Sequence, residues 1–165
     1  MHVDNARAHA GYNQWMNDKL YGLAAELSDE ERMRDVGAFF GSLHETLHHI
    51  LLADRIWLSR FEGTTLTQDP SLANDFDKLR AARKIEDERI LRFASALTES
   101  AMTADFSYKN MRGDPFTHPL WWAVSHAFNH ETHHRGQATT LLMQLGKDPG
   151  VTDLIAFLRL HPPTK

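Results

Sequence analysis

The sequence predicts an all-α protein, a four-helix bundle with a short β-hairpin before its last long helix. Three observations lead to this class. Four long segments carry apolar residues at spacings of three and four, polar loop segments separate them, and one short segment alternates as a strand does. A chain of 165 residues has the usual size of one domain, so we expect residues 1–165 to form a single domain.

The first two long helices follow from the spacing of apolar residues. Apolar side chains recur on one face over residues 4–27, which predicts the first helix. Ser28, followed by three acidic residues, has the pattern of an N-cap and predicts a short helical turn. The second long helix is expected over residues 39–61, and Gly63 ends it.

The hairpin and the third long helix are predicted in the middle of the chain. Residues 64–72 are polar and contain Pro70, so we expect a loop there. Helical spacing returns over residues 75–97, where a dense charged face opposite the apolar one is typical of a solvated surface. Residues 105–117 alternate around the turn Arg112-Gly113-Asp114 and predict the β-hairpin.

The last long helix carries the motif on which the functional hypothesis depends. Pro119 suits the first turn of a helix, which we expect over residues 120–145 with Gly146 at its end. Apolar side chains lie on more than one of its sides, so it is expected to be central in the bundle or shared with a partner subunit. Residues 152–160 predict a short helix that covers the end of the bundle.

Composition excludes several classes of function. A formal net charge of -4 gives no electrostatic support for binding nucleic acid. The absence of cysteine excludes disulfides, cysteine-ligated zinc and a thiol nucleophile, so any metal must be bound by His, Asp or Glu. The sequence has no basic and apolar leader and no apolar run of membrane-spanning length, so we expect a soluble, cytoplasmic protein without a membrane partner.

Histidines are concentrated on the last helix. The chain has 11 histidines, and those at positions 126, 130 and 134 are successive i, i+4 neighbours. His126, His130 and His134 therefore line one side of the helix, whereas His133 points about 100° away from His134. Two imidazoles at this spacing can chelate a divalent metal, so the column predicts a metal site, with a merely polar helix face as the alternative.

A second group of histidines lies on the second helix. His49 belongs to a row of small and apolar side chains beside the main apolar face, whereas His48 belongs to a mostly polar row that faces solvent. His44 lies at the edge between these faces. His49 is therefore the preferred ligand, and a surface chelate of His44 and His48 without a function is the alternative.

Together, these histidines predict one metal site between two helices. His49, His130 and His134 would supply three nitrogens and leave at least one coordination position for water or substrate, as in a catalytic zinc site. Four-helix bundles commonly build metal sites from side chains on facing helices. His126, one turn earlier, would line the pocket or hold a water near the metal. No catalytic residue is assigned.

The same stretch contains a zinc-protease motif. His130-Glu131-Thr132-His133-His134 spells H-E-x-x-H, in which the glutamate is the general base and a third ligand follows downstream. No glutamate follows Glu131, and the position six after His134 is Thr140. The all-helical context also argues against a protease, so this function is the weaker alternative and Glu131 is expected to be structural.

Other residues near these motifs have structural or functional interpretations. Asp54 lies on an apolar face and needs a partner, which we expect to be a side chain of the first helix rather than the ring N–H of a ligand. Arg135 and Gln137 are candidates for binding an anionic substrate or orienting a ligand, with helix packing or a surface role as the alternative. Gly136 is expected to permit a close approach of helices.

Four stretches, spread over almost the whole chain, resemble one known family. They are residues 47–58 (LHHILLADRIWL), 126–137 (HAFNHETHHRGQ), 12–16 (YNQWM) and 108–113 (YKNMRG). With these stretches the chain resembles the DinB/YfiT-like family of metalloenzymes. The resemblance implies an up-down-down-up four-helix bundle, commonly a homodimer, with a divalent metal on His49, His130 and His134.

The resemblance says less about the reaction. The wider superfamily includes thiol-dependent S-transferases and a maleylpyruvate isomerase that use low-molecular-weight thiols. We therefore expect a metal-dependent transferase or hydrolase that activates a thiol or water, with a small-molecule substrate and a low-molecular-weight thiol as partners. A non-catalytic metal-binding or stress-response protein is the alternative. Zn²⁺ and Ni²⁺ are the preferred metals and Mn²⁺ and Fe²⁺ the others, because a three-nitrogen site accepts several metals.

Overall fold

The structure, a computed structural model, describes residues 1–162. It is mostly helical and has one antiparallel two-stranded hairpin, as predicted. Its long helices are α1 (Val3–Ala24), α3 (Leu43–Glu62), α4 (Phe76–Ala96) and α6 (Leu120–Gln144). The shorter elements are α2 (Asp29–Met33), a 3-10 helix (Pro70–Ala73), α5 (Glu99–Thr103), the strands β1 (Asp105–Lys109) and β2 (Pro115–Pro119), and α7 (Leu154–Leu160). Neither α5 nor the 3-10 helix follows from the apolar spacing.

A side-chain cap and a glycine define the two ends of α3, which carries one of the predicted ligands. Ser42 accepts a hydrogen bond from the backbone N–H of Glu45 in the first turn. At the other end, Gly63 adopts the left-handed conformation with φ 64°, which ends the helix as the sequence predicts.

The second long helix begins at Leu43 and not at residue 39. Gly41 has φ 78°, and its backbone N–H donates to the carbonyl of Ala38 at 2.9 Å, which closes a tight turn before the helix. Phe39 and Phe40 therefore belong to this turn. The turn places Phe40 against a histidine of α3, so the corrected boundary changes the composition of the site.

The long helices pack as neighbours, α1 against α4 and α6, and α3 against the same two helices. Two clusters of buried apolar side chains form the core, one around Leu20, Leu47 and Leu142 and the other around Leu58 and Phe128. On α3, α4 and α6, buried polar residues fall between the two clusters along the chain. These residues are Asp54, Arg83, Glu86, Asp87, Glu131, His134 and Arg135. On α1, the buried Asn13 and Asn17 lie among residues of the first cluster.

The hairpin packs aromatic side chains onto α3. β1 and β2 are antiparallel, with Tyr108 opposite Phe116. The ring of Tyr108 lies 5.3 Å from that of Trp57, and the ring of Phe106 lies 5.5 Å from that of Phe61. The hairpin thus covers the C-terminal half of α3.

The last short helix packs against α1. Its residue Phe157 lies 6.0 Å from the ring of Tyr12 and 5.9 Å from that of Trp15. A Cβ atom at Gly11 would meet the Phe157 ring at 3.0 Å, so glycine allows this close contact. Within residues 1–162, no helix has the length and apolar character needed to cross a membrane.

Candidate metal centre

Two facing helices bring three histidines together. α3 contributes His49, and α6 contributes His130 and His134 from successive turns. The Nε2 atom of His130 lies 3.4 Å from that of His49 and 3.1 Å from that of His134. One ring nitrogen from each residue lies within 4.8 Å of the other two. The structure therefore brings together the three residues that the sequence predicts as ligands.

A hydrogen bond fixes the orientation of His134. Its Nδ1 atom lies 2.7 Å from the amide oxygen of Gln137, three residues later on α6. An amide oxygen can only accept, so Nδ1 carries the proton and Nε2 presents its lone pair to the other histidines. Gln137 therefore has the position of a residue that orients a ligand, one of the two roles expected from the sequence.

The environment keeps the other two imidazoles neutral. Burial, followed by the neighbouring His134 and His49, lowers the pKa of His130 to about 4. Burial, followed by His134, also lowers the pKa of His49. Metal ions bind neutral imidazole, so both rings are in the ligand form at neutral pH.

The donor set fits a divalent cation. The Nδ1 atom of His130 is buried and finds no hydrogen-bond partner among residues 1–162. Its Nε2 atom is the one that faces the other two rings. A proton on this Nε2 can point well at only one neighbour, whereas a cation between the rings can accept three lone pairs. Three neutral nitrogens without cysteine suit Zn²⁺ and other borderline metals.

Phe40 covers the site from the turn before α3. Its ring stacks on His49, with centroids 4.1 Å apart and planes 26° apart, and lies 5.4 Å from the ring of His134. Sequence reasoning missed this residue because it placed Phe40 within the second helix. The signal that could have found it is Gly41, whose glycine permits the turn.

The other histidines of α3 do not form the alternative surface chelate. His44 is buried, with 1% of its surface exposed, and its Nε2 atom lies 2.9 Å from the carbonyl oxygen of Leu72. It therefore anchors the loop before α4 instead of lying at the edge of the helix. His48 is half-buried and lies 3.9 Å from the Glu45 carboxylate, so the proposed pair of His44 and His48 is wrong.

The remaining histidines of the α6 motif lie outside the group of three. His126 is exposed, 5.1 Å from the ring of Trp57 and 5.9 Å from that of His130. It lines the approach to the site, as expected. His133 is exposed, and its Nε2 atom lies 3.5 Å from the Gln137 amide nitrogen.

Comparison with known proteins identifies the family and agrees with the fold. The profile of the DinB family matches residues 1–165. The chain belongs to the DinB family. It is 26% identical over 156 residues to Protein DinB of Bacillus subtilis (strain 168), covering 89% of this chain and 90% of that protein. A crystal structure of a DinB-like protein from Bacillus cereus has the same fold, with a TM-score of 0.63, 22% identity and coverage of 84% of this chain and 91% of that one.

In this DinB-family protein, the glutamate of the H-E-x-x-H stretch lies in the helix-packed interior. Glu131 is 2% exposed and accepts a hydrogen bond from Arg135 at 2.9 Å. Burial, followed by the adjacent Asp54 carboxylate, raises the pKa of Glu131 well above its usual range. Its structural role, expected from the sequence, therefore agrees with the geometry, because the glutamate of this motif is engaged by Arg135 in the helix core.

Asp54 has its structural partner on a different helix from the one expected. It forms an ion pair with Arg83 of α4, which is 2% exposed. Arg83 also pairs with Asp87 at 3.0 Å, and Asp87 accepts a hydrogen bond from Asn17 of α1 at 2.8 Å. The expectation of a direct partner on the first helix is wrong, because two residues of α4 lie between Asp54 and α1.

Arg135 and Gly136 are neighbours on α6 with different surroundings. Arg135 is buried, and its guanidinium lies 5.2 Å from the ring centroid of Tyr12, so it has the helix-packing role. A Cβ atom at Gly136 would meet nothing within 4 Å apart from its chain neighbours and the helix's own backbone. The expected close helix approach at Gly136 is therefore wrong.

Proposed function

We propose that this DinB-family protein binds one divalent metal ion on His49, His130 and His134 and uses it as an enzyme that transfers or hydrolyses a small molecule. The observation that carries the proposal is the convergence of three Nε2 atoms, one from each of these residues. Only histidines occupy the cluster, which leaves coordination positions for a substrate or water.

Zn²⁺ and Ni²⁺ are the preferred ions, and Mn²⁺ and Fe²⁺ are the alternatives. Imidazole nitrogen suits the first two well, whereas Mn²⁺ favours oxygen ligands. A bound ion of this kind lowers the pKa of a coordinated thiol or water and so supplies a nucleophile at neutral pH.

The residues of this chain prepare the site for such an ion. The amide oxygen of Gln137 accepts a hydrogen bond from Nδ1–H of His134 and so keeps the Nε2 lone pair of that ring directed at the centre. Burial keeps His130 and His49 neutral. Phe40 stacks on His49 and removes one face of that ring from water. The ligands are thus held in position by packing and by one hydrogen bond.

The favoured reaction is the transfer of a thiol sulfur to an electrophilic carbon. A C–S bond forms, the bond between that carbon and its leaving group breaks, and the thiol proton passes to solvent while the leaving group departs with the bonding electrons. The small-molecule substrate and the low-molecular-weight thiol are proposals drawn from the family resemblance. We assign no proton acceptor among the residues of this chain.

The second candidate is a non-catalytic metal-binding or stress-response protein. One observation favours it: the two carboxyl groups nearest the ligands in the helix core, Asp54 and Glu131, are engaged with Arg83 and Arg135. Neither is free to act as a general base at the metal. With both carboxyl groups engaged, the metal is the one reactive group that the site would offer, which suits a protein that binds metal without turnover.

The helix directions and the subunit number are part of the proposal. An up-down-down-up bundle is supported by pairs of contacts between helices. From one contact to the next, the residue numbers of α3 and α4 increase together, so these helices are parallel. Along α1 and α4, and along α3 and α6, one number increases while the other decreases, so these helices are antiparallel. The pairs are Asp54–Arg83 and Glu62–Arg89, Arg7–Leu97 and Asn17–Asp87, and His49–His130 and Trp57–His126. The homodimer is supported by exposed aromatic side chains at Trp121 and Trp122, and light scattering of the purified protein tests it.

The experiment that tests the activity compares thiol consumption by metal-loaded protein and by its His130→Ala variant. A panel of low-molecular-weight thiols is mixed with an alkyl halide electrophile, and the thioether product is measured by mass spectrometry. We expect product above the uncatalysed background with metal-loaded wild type and with an exposed-site control, His133→Ala, and none above it with His130→Ala. Full metal loading without product from thiols or from hydrolysable esters would favour the non-catalytic candidate.

A further inference from the structure

An arginine with no carboxylate partner lies beside the approach to the metal centre. The guanidinium carbon of Arg60 lies 4.7 Å from the ring centroid of Trp57, one turn earlier on α3, and 5.1 Å from that of Tyr108 on β1. The hairpin and the helix thus hold the cation between two aromatic faces. Such faces stabilise a guanidinium and leave its N–H edge free to bind another group.

Arg60 differs in this respect from three arginines that are held inside the protein by carboxylates. Arg83 pairs with two aspartates, Arg135 with Glu131, and Arg89 with Glu62. Within residues 1–162, no carboxylate forms an ion pair with Arg60, and its side chain donates no hydrogen bond. Burying half of a cation costs solvation free energy, and no neighbouring anion in the described part of the chain offsets that cost for Arg60, so an anionic ligand would stabilise it.

Aromatic rings connect Arg60 to the proposed metal ligands. Trp57, which lies under the guanidinium, is 5.1 Å from the ring of His126. His126 is in turn 5.9 Å from the ring of His130. The positive charge of Arg60 is close enough to contribute, after burial, to the lowered pKa of His126. Arg60 and the metal centre therefore flank one row of aromatic side chains.

We propose that Arg60 binds the carboxylate of a small-molecule substrate whose reacting end lies at the metal centre. The proposal rests on the proposed function and adds the substrate class, a carboxylate-bearing molecule with an apolar segment between its two ends. The apolar segment lies along Trp57 and His126, and the planar fork of the guanidinium binds both carboxylate oxygens. A singly charged carboxylate matches the one guanidinium that lies between the rings of Trp57 and Tyr108.

Binding at Arg60 can be tested without any metal. Hexanoate and hexanol are titrated into the protein while the indole N–H signals are followed by NMR, with Trp57→Phe identifying the Trp57 signal. We expect a saturable shift of that signal with hexanoate, at least about tenfold tighter than with hexanol because one charge-assisted pair is added. Arg60→Gln removes this preference and Arg60→Lys retains part of it.

The matched control is Arg55→Gln, which removes a half-buried arginine of the same helix whose partner is Glu86 at 3.5 Å. It should leave the preference for hexanoate unchanged. Equal binding of hexanoate and hexanol, or a preference that survives in Arg60→Gln, would overturn the assignment of Arg60.

A second titration separates this proposal from the proposed function. Co²⁺-loaded protein is titrated with mercaptohexanoate and with mercaptohexanol, both with the thiol on the terminal carbon, and the sulfur-to-cobalt charge-transfer band is recorded. We expect both thiols to produce the band and the carboxylate to bind about tenfold tighter, again only with Arg60 present. If both thiols produce the band with equal affinity, the role of Arg60 is overturned. If the protein does not bind Co²⁺, the metal site is overturned, and the hexanoate titration alone decides the role of Arg60.

Discussion

The Nδ1 atom of His134 lies 2.7 Å from the amide oxygen of Gln137, and this contact selects the ring nitrogen that faces the other two histidines. Replacing Gln137 with Leu removes the acceptor and lets the ring change its tautomer. We expect metal affinity to fall about 10–100-fold, the usual effect of removing such a partner. Competition with a chromogenic chelator measures it, and Thr139→Ala, on the same helix, should bind as the wild type does. Unchanged affinity would show that the contact does not orient the ligand.

Phe40 and Phe39 form a matched pair in the turn before α3. Phe40 stacks on His49, whereas Phe39 is 83% exposed. We expect Phe40→Ala to lower the free energy of unfolding by about 1–2 kcal/mol and to speed metal dissociation, because a half-buried ring and the cover of His49 are lost. Phe39→Ala should change the free energy of unfolding by less than about 0.5 kcal/mol. Urea unfolding and chelator-induced release measure both, and equal effects of the two variants would contradict the role of Phe40.

Glu131 distinguishes the buried structural role from that of a protease base. A glutamine at this position can still accept from Arg135 and donate to Asp54, so we expect Glu131→Gln to keep metal binding and any activity. Glu131→Ala leaves the Arg135 guanidinium without its partner inside the protein and should cost about 3 kcal/mol of unfolding free energy. Loss of activity in a stable, metal-loaded Glu131→Gln variant would contradict the structural role.

The pKa of His130 predicts how the metal-free protein responds to acid. Burial lowers the pKa of His130 to about 4, below the ordinary value of 6.5 that the unfolded chain has. Between pH 6.5 and 4 the unfolded state binds a proton at this residue and the native state does not, so stability falls as pH falls. The unfolding free energy of wild type should therefore drop faster over this range than that of His130→Gln. Parallel pH profiles of the two metal-free proteins would contradict the lowered pKa.

Helix positions and the grouping of His49, His130 and His134 could be predicted because both depend on periodicity. Histidines at i, i+4 face one side of a helix whatever surrounds it, and the small residues in the row of His49 indicated a helix contact. The start of α3 could not be predicted from periodicity, since a left-handed turn at Gly41 interrupts a continuous apolar pattern. Phe40 was missed for that reason.

Pairing between helices was not accessible from the sequence. Asp54 clearly needs a partner, but periodicity gives only the face on which it lies and not which of two neighbouring helices supplies a cation. His44 looked like a residue at the edge of a face, and only the position of the loop carbonyl of Leu72 explains its burial. Gly136, likewise, was expected at a contact that the helix packing does not make.

The central claim is that three histidines bind one metal ion, and elemental analysis of the purified, untagged protein tests it most directly. Wild type is compared with His49→Ala, with the His130→Ala/His134→Ala double variant, and with His133→Ala as an exposed control on the same helix. We predict about one metal ion per chain in wild type and in the control, and none in the other two. Metal in the His49→Ala and double variants at the level of wild type, or no metal in any protein after incubation with Zn²⁺ and Ni²⁺, would contradict the claim.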